Sequence, residues 1–165
     1  MRRLWCVLVA VVLLVAGCRP SAAEPQSAEF SCTVEAVYRE LNVKGTLTRY
    51  GAGTLALAFD EPETLNGLTV RWDGEAITLS LHGLEFTADA ASVPESALGT
   101  EIVAALDAAL RGEGERREAG GVLTVNGSGP NGAYTLTFDA QSGVPLALSV
   151  PSLPLTVTFS EVMVQ

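Results

Sequence analysis

From Phe30 to the carboxyl end, apolar and polar residues alternate with a period of two between clusters of turn residues. That pattern is the signature of antiparallel strands with one buried face. Phe30, Cys32, Val34, Ala36 and Tyr38 share one face, and Val43, Leu47 and Arg49 follow at even spacing. Leu55, Leu57 and Phe59 alternate with Ala56 and Ala58, and after Glu61-Pro62 and Asn66-Gly67 the pattern resumes at Leu68, Val70 and Trp72. Asp73-Gly74 is a hairpin signal, and Ile77, Leu79 and Leu81, then Leu84 and Phe86 beyond His82-Gly83, continue the series. Later runs place Leu123 and Val125, then Tyr134, Leu136 and Phe138, then Val144, Leu146, Leu148 and Val150, then Leu155, Val157, Phe159 and Met163 on buried faces. The expectation is about ten strands.

One segment breaks the period. Ser92-Val93-Pro94-Glu95 matches a capping box, with proline in the first turn where its missing N–H costs nothing. Leu98, Ile102, Leu106 and Leu110 then recur every four residues, with Val103 beside them, and Gly112 supplies a stop. A helix over about 93–111 is predicted, with Ala104, Ala105, Ala108 and Ala109 keeping its flanks thin. Beyond it, Glu113 to Gly121 mixes charges of both signs with glycines and reads as a mobile solvated loop. A long sheet that is apolar on one side must cover that side. It can fold over as a sandwich or closed barrel, or curl around the one helix.

The first eighteen residues carry a different message. Arg2 and Arg3 precede an apolar run from Leu4 to Ala16 that ends in Val15-Ala16-Gly17-Cys18. A basic start, a short apolar stretch and small residues at the cut describe an export signal, and the run falls short of the roughly 20 residues a spanning helix needs. The terminal cysteine resembles the lipobox of bacterial lipoproteins. That resemblance implies cleavage between Gly17 and Cys18, a diacylglycerol on the Cys18 sulfur and usually a further acyl chain on the new amino terminus. Residues 1–17 are then a signal peptide and 18–28 a lipidated tether. Arg19 to Ala28, rich in proline, serine and alanine, would reach roughly 17 to 20 Å, leaving 29–165 as a single folded domain near the membrane.

Charge agrees with that attachment. The 165-residue chain carries a formal charge of −9, and losing Arg2 and Arg3 with the leader takes it to −11. So acidic a domain is repelled by nucleic acid and by anionic head groups, so the lipid is the expected membrane contact. Cys6 leaves with the signal and Cys18 is acylated, so Cys32 is left without a disulfide partner and reads as a small buried hydrophobe.

Catalytic chemistry finds little support. His82 is the single histidine and stands in a turn; no Gly-x-Ser-x-Gly elbow and no phosphate loop occur; paired acids such as Glu61/Glu63 and Asp73/Glu75 fall in turns without ligand spacing. No cofactor, metal or catalytic residue is expected. Two charges share parity with apolar faces, Arg49 and Glu161. If their strands stay regular, each points to the concave side and needs a partner there, a polar head group or the helix; a bulge or strand end would turn either away.

A run of strands, a central helix and a second run of strands resembles the half-barrel of the LolA and LolB lipoprotein carrier and receptor, shared by mycobacterial glycolipid-binding lipoproteins. The strand, glycine turn and proline-led strand at Phe138-Asp139-Ala140-Gln141-Ser142-Gly143-Val144-Pro145-Leu146 is similar to the later hairpins of that fold. The chain departs from it in lacking the helix that usually precedes the first strand. The resemblance implies a mainly β fold, a curved antiparallel sheet wrapped around a central helix. It also implies a non-catalytic exported protein that takes a lipid or other hydrophobic ligand. The groove would be lined by Leu55, Leu57, Phe59, Leu68, Val70, Trp72, Leu98, Ile102 and Leu106, with Arg49 and Glu161 at its polar margin. The alternative is a structural or protein-interaction module of the cell envelope with a fully packed core. Localisation is expected on the outer face of the cell membrane, or at the outer membrane if the organism has one. Replacing Cys18 with serine should release a folded, soluble protein, read by fractionating cells into membrane and soluble extracts; a variant that stays with the membrane would overturn the lipobox reading.

Overall fold

A computed structural model describes residues 29–92 and 98–165. The signal, Gly17, Cys18, the tether and the capping box beyond Ser92 lie outside them. Eleven strands form one antiparallel sheet: β1 (Phe30–Tyr38), β2 (Leu41–Gly51), β3 (Thr54–Glu61), β4 (Thr69–Trp72), β5 (Ala76–Leu81), β6 (Leu84–Asp89), β7 (Glu115–Ala119), β8 (Val122–Gly129), β9 (Gly132–Asp139), β10 (Pro145–Val150) and β11 (Leu155–Val164). Their spatial order is β6-β5-β4-β3-β2-β1-β11-β10-β9-β8-β7. Two meanders are thus joined through β1 and β11, and helix α1 (Leu98–Leu110) lies between β6 and β7 in sequence, linking the two outer edges. This is the mainly β curved sheet with one helix that the periodicity and the resemblance lead one to expect.

The strand count differs by one. Glu115–Ala119, expected as loop, pairs with β8 through Arg117↔Thr124 and its neighbours. Every residue in it is exposed, so it has no buried face and no alternation to betray it; its order comes from backbone pairing with β8 and from the Arg116 side chain.

Parity fixes the core elsewhere. Phe30, Cys32, Val34 and Ala36 of β1 are buried, as are Val43, Leu47 and Arg49 of β2, and cross-strand pairs such as Cys32↔Leu47 and Val34↔Phe159 keep them on the concave side. Burial pushes the Cys32 thiol up to about 12, so it stays protonated and unreactive near neutral pH. Register shifts interrupt the pattern in β1–β11, β9–β10 and, twice, β2–β3. Between Pro145 and Ala147 the pairing with β9 slips, and Pro145 rather than Val144 takes the buried position. On β11 four residues, Ser160 to Met163, span what three residues, Ser31 to Thr33, cover on β1, with Glu161 at φ 52°. That is a β-bulge.

The helix buries a wider face than its leucines suggest. Gly99, Glu101, Ile102, Ala105, Leu106, Ala108 and Ala109 are buried, while Leu98, Val103 and Leu110 are only half-covered. Alanine and glycine let α1 approach strands on both arms of the sheet, β8 and β9 on one side and β3 on the other. The helix ends in a Schellman motif: the Gly112 N–H donates to the Ala109 carbonyl (3.1 Å) and the Glu113 N–H to the Ala108 carbonyl (2.9 Å), with Gly112 at φ 83°.

Close packing also explains Gly45. A Cβ there would lie 2.1 Å from the Ala58 carbonyl oxygen on the neighbouring strand, beside the register shift between Lys44 and Gly45, so no side chain fits where β2 and β3 bend together. Gly45→Ala should cost about 2 kcal/mol of stability through this overpacking, measured by urea unfolding of the Cys18→Ser chain; an unchanged midpoint would show that the bend relaxes freely.

Candidate functional site

Three cross-strand rows build the concave face of the β2–β6 arm. The first runs Arg49, Leu55, Trp72, Ile77, Ala88. A second runs Leu47, Leu57, Val70, Leu79, Phe86. In the third, Gly45 faces Phe59, whose N–H donates to the Leu68 carbonyl (2.9 Å), and Leu81 faces Leu84. Because residues directly opposite in a sheet point to the same side, all three rows face the helix side of the sheet.

Cover fails progressively along these rows. The first is buried from Arg49 through Ile77. In the second, Leu47 and Leu57 are buried, Val70 and Leu79 half-buried, and Phe86 is 66% exposed. In the third, Phe59 and Leu68 are half-buried, Leu81 is 39% exposed and Leu84 77%. One apolar surface therefore continues from the core under α1 into water at the β5–β6 corner. This is a graded, contiguous apolar patch rather than scattered exposure, which makes it the candidate site.

The residues expected to line a groove divide accordingly. Leu55, Leu57, Ile102 and Leu106 are fully buried in the core and Trp72 nearly so. Phe59, Leu68, Val70 and Leu98 are half-buried at its margin. Leu79, Leu81, Leu84 and Phe86 were not among them, although they share parity across the His82-Gly83 turn with residues that were; extending each row by two strands would have found them. Beside α1 a cavity of about 290 Å³ is lined by Gly53, Trp72, Gly74, Ile77, Ala90, Thr100, Val103 and Ala104, at the small end for a ligand pocket. A Cβ on Gly99 would fall 2.1 Å from the Trp72 ring, so the indole lies directly against the helix backbone.

Polar contacts fasten the helix over this surface. Arg49, 1% exposed, places Nη2 2.5 Å from Asp107 Oδ1, and Asp107 Oδ2 accepts the Gly53 N–H at 2.8 Å. The Arg49 contact has the distance of an ion pair without hydrogen-bond alignment, and Arg49 Nε and Nη1, Asp107 Oδ1 and Trp72 Nε1 have no hydrogen-bond partner among the described residues. At the other end of α1 the buried Glu101 accepts from Asn131 Nδ2, while Ser152 Oγ donates to the Asn131 carbonyl. From β7, Arg116 Nη2 donates to the Ala109 carbonyl at 2.7 Å. Glu101 carried no signal in the sequence, being one acid among many on an apolar helix.

Glu161 lies elsewhere. The bulge turns it to the outer face, where it is exposed and accepts a hydrogen bond from Thr33 Oγ1 at 2.8 Å. The outer face also holds a recess of about 380 Å³ with Glu35, Lys44, Glu61 and Thr158 on its walls, where the Glu35 carboxylate 3.1 Å away raises the Lys44 pKa. His82 is exposed in its turn. Among the described residues no three His, Cys, Asp or Glu side chains are grouped to hold a metal ion, and no helix is long and apolar enough to cross a membrane.

Neither a protein-family model nor a curated protein sequence matches the chain. Solved structures do resemble it. An uncharacterized conserved protein from Thermus thermophilus has a TM-score of 0.51 at 13% identity, over 86% of this chain and 81% of that one. A DUF1329 family protein from Desulfovibrio piger has a TM-score of 0.48 at 10% identity, covering 85% and 87%. A LolA superfamily protein from Nitrosomonas europaea has 0.41 at 8% identity, covering 87% and 88%. At such identities the likeness to the Thermus protein is one of fold alone.

The buried pair yields a test of how the helix is held. Removing either partner strands the other charge in the core, so Arg49→Met and Asp107→Ala should each cost about 3 kcal/mol. The double variant should cost clearly less than their sum, by urea unfolding; additive losses would mean that the two side chains do not act together.

Proposed function

We propose that this is an exported, lipid-anchored, non-catalytic protein that binds a lipid or other hydrophobic ligand along the concave face of its sheet. The observation that carries the reading is the apolar surface running from Val70 and Leu79 to Leu81, Leu84 and Phe86, continuous with the core and uncovered at its outer end. An acyl chain suits it, being linear, flexible and without hydrogen-bonding needs, and each buried methylene contributes about 0.8 kcal/mol. The half-buried Phe59 and Leu68 widen the surface, and the helix edge at Leu98 and Val103 borders it. The resemblance to the LolA and LolB half-barrel points to the same ligand class. The lipobox reading supplies the location: Cys18 anchors the chain, and the tether keeps the open face within a few nanometres of the bilayer.

A second reading, an envelope interaction module with a packed core, draws on the complete burial of Leu55, Leu57, Ile102 and Leu106. The two part on one experiment. The Cys18→Ser chain, purified from its expression host without detergent, should carry co-purifying lipid by native mass spectrometry, and Val70→Asp should remove it. Lipid-free protein that also fails to bind a fluorescent fatty acid would sink the carrier reading and leave the interaction module.

A further inference from the structure

The two edges of the sheet are unlike. Edge strand β7, Glu115-Arg116-Arg117-Glu118-Ala119, is exposed throughout and carries charges of both signs, which is how sheets protect an open edge from pairing. Edge strand β6, Leu84-Glu85-Phe86-Thr87-Ala88-Asp89, instead presents Leu84 and Phe86 to water on the concave side. No described strand lies beyond it.

Its free backbone groups can be identified. His82 and Gly83 have φ of 49° and 85°, a two-residue turn with both residues left-handed, so Leu81 and Leu84 form the hydrogen-bonded pair that closes it. Hydrogen-bonded pairs alternate along an antiparallel ladder, which gives Leu79/Phe86 and Ile77/Ala88 as the next ones. The Ala90 N–H donating to the Glu75 carbonyl at 2.9 Å continues the same alternation. Glu85 and Thr87 therefore direct free N–H and C=O groups outward, while the outward Asp89 carbonyl already accepts from Ser92 Oγ at 2.6 Å.

We propose that β6 pairs antiparallel with β6 of a second copy of this chain, about a two-fold axis passing through Phe86. The register follows from faces, charges and overlap, since centring on Leu84 or Ala88 would pair three strand residues or fewer. For both concave faces to stay on one side, the axis must pass through a residue position rather than between two. Centred on Glu85, the pairing sets Glu85 against Glu85; centred on Thr87, it sets Glu85 against Asp89. Centred on Phe86 it sets Phe86 on Phe86, Leu84 on Ala88 and Glu85 on Thr87, with no like charges opposed. In that register Glu85 and Thr87 of each copy exchange both N–H···O bonds with Thr87 and Glu85 of the other. The phenyl rings meet in the closer, non-hydrogen-bonded position, where aromatic pairs are favoured. The concave faces then join into one apolar trough. The pairing stands whether or not that trough takes a ligand.

Cysteine substitution in the full chain, expressed in its exporting host and treated with a mild oxidant, tests this. Phe86→Cys sets the two thiols directly opposite, with Cα atoms about 4.5 Å apart, within disulfide reach, and should give a reducible species of twice the mass. Leu84→Cys sets its two copies four residues out of step, roughly 13 Å apart, and should not, whereas Leu84→Cys expressed together with Ala88→Cys should. Thr87→Pro removes an outward N–H that the monomer's own sheet does not use, so it should lower crosslinking of Phe86→Cys by roughly tenfold and lower the thermal melting no more than Thr87→Val, which loses the same exposed hydroxyl contact with Thr78. Phe86→Cys linking no more than the unsubstituted chain, Leu84→Cys linking as readily alone, Thr87→Pro leaving the crosslink intact, or a product with another protein's mass would each overturn the pairing. Lipid co-purification is read separately and does not depend on the result.

Discussion

A thirteen-residue helix is about 20 Å long and 10 to 12 Å wide, while eleven strands set about 4.8 Å apart span some 48 Å. The mismatch between cover and sheet governs the molecule. Curling brings both arms onto the helix, β8 and β9 on one side and β3 on the other, and still leaves part of the concave face beyond its reach. The curl needs thin residues where backbones meet, which is why the buried helix face is made of Gly99, Ala105, Ala108 and Ala109 as much as of Ile102 and Leu106. It needs Gly45 for the same reason, where β2 bends against β3. What the helix cannot reach, the β4–β6 corner, is where the apolar surface meets water.

Periodicity made the sheet readable because apolar residues alternate along ten of the eleven strands, nine of which carry buried residues, while β6 keeps the alternation with Leu84 and Phe86 in water. β7 has no such alternation, and so looked like a loop. The helix was placed by its four-residue repeat, but its leucines mark only one of two buried flanks; a helix held between two arms buries alanines that a one-sided reading assigns to its edges. Arg49 and Glu161 had the same parity signal and ended on opposite faces. The difference is a single extra residue in β11, and a bulge of that kind has no hydrophobic pattern to announce it. The apolar concave surface was legible around the helix but not to its end: the exposed continuation through Leu79, Leu81, Leu84 and Phe86 lay one and two strands further along the same rows.

Polar groups set the position of the helix more than apolar ones do, since hydrophobic contact tolerates sliding and an ion pair does not. Arg49 and Asp107 join β2 to the carboxyl-terminal half of α1, and Glu101 with Asn131 joins its amino-terminal half to the β8–β9 turn. Burying these charges is expensive, and an apolar pair of similar volume could be as stable or more so. The arrangement therefore makes sense as a device for register: it fixes one seating of a smooth, alanine-rich helix that would otherwise have several of similar energy.

The contrast between the edges completes the same logic. A curved open sheet has two edges, and the chain treats them differently: β7 carries charge along its whole length and reaches back through Arg116 to cap the helix carbonyl of Ala109, whereas β6 ends the apolar rows with a leucine and a phenylalanine in water. Protection was available to β6 through the same substitutions that β7 uses, at little cost to stability on an exposed strand. The apolar character of β6 follows its rows outward from the core, and the edge and the uncovered concave face are in this sense one surface. A strand added at β6 would lengthen that surface without altering the packing under α1, because the groups it would engage at Glu85 and Thr87 take no part in the monomer's own ladder.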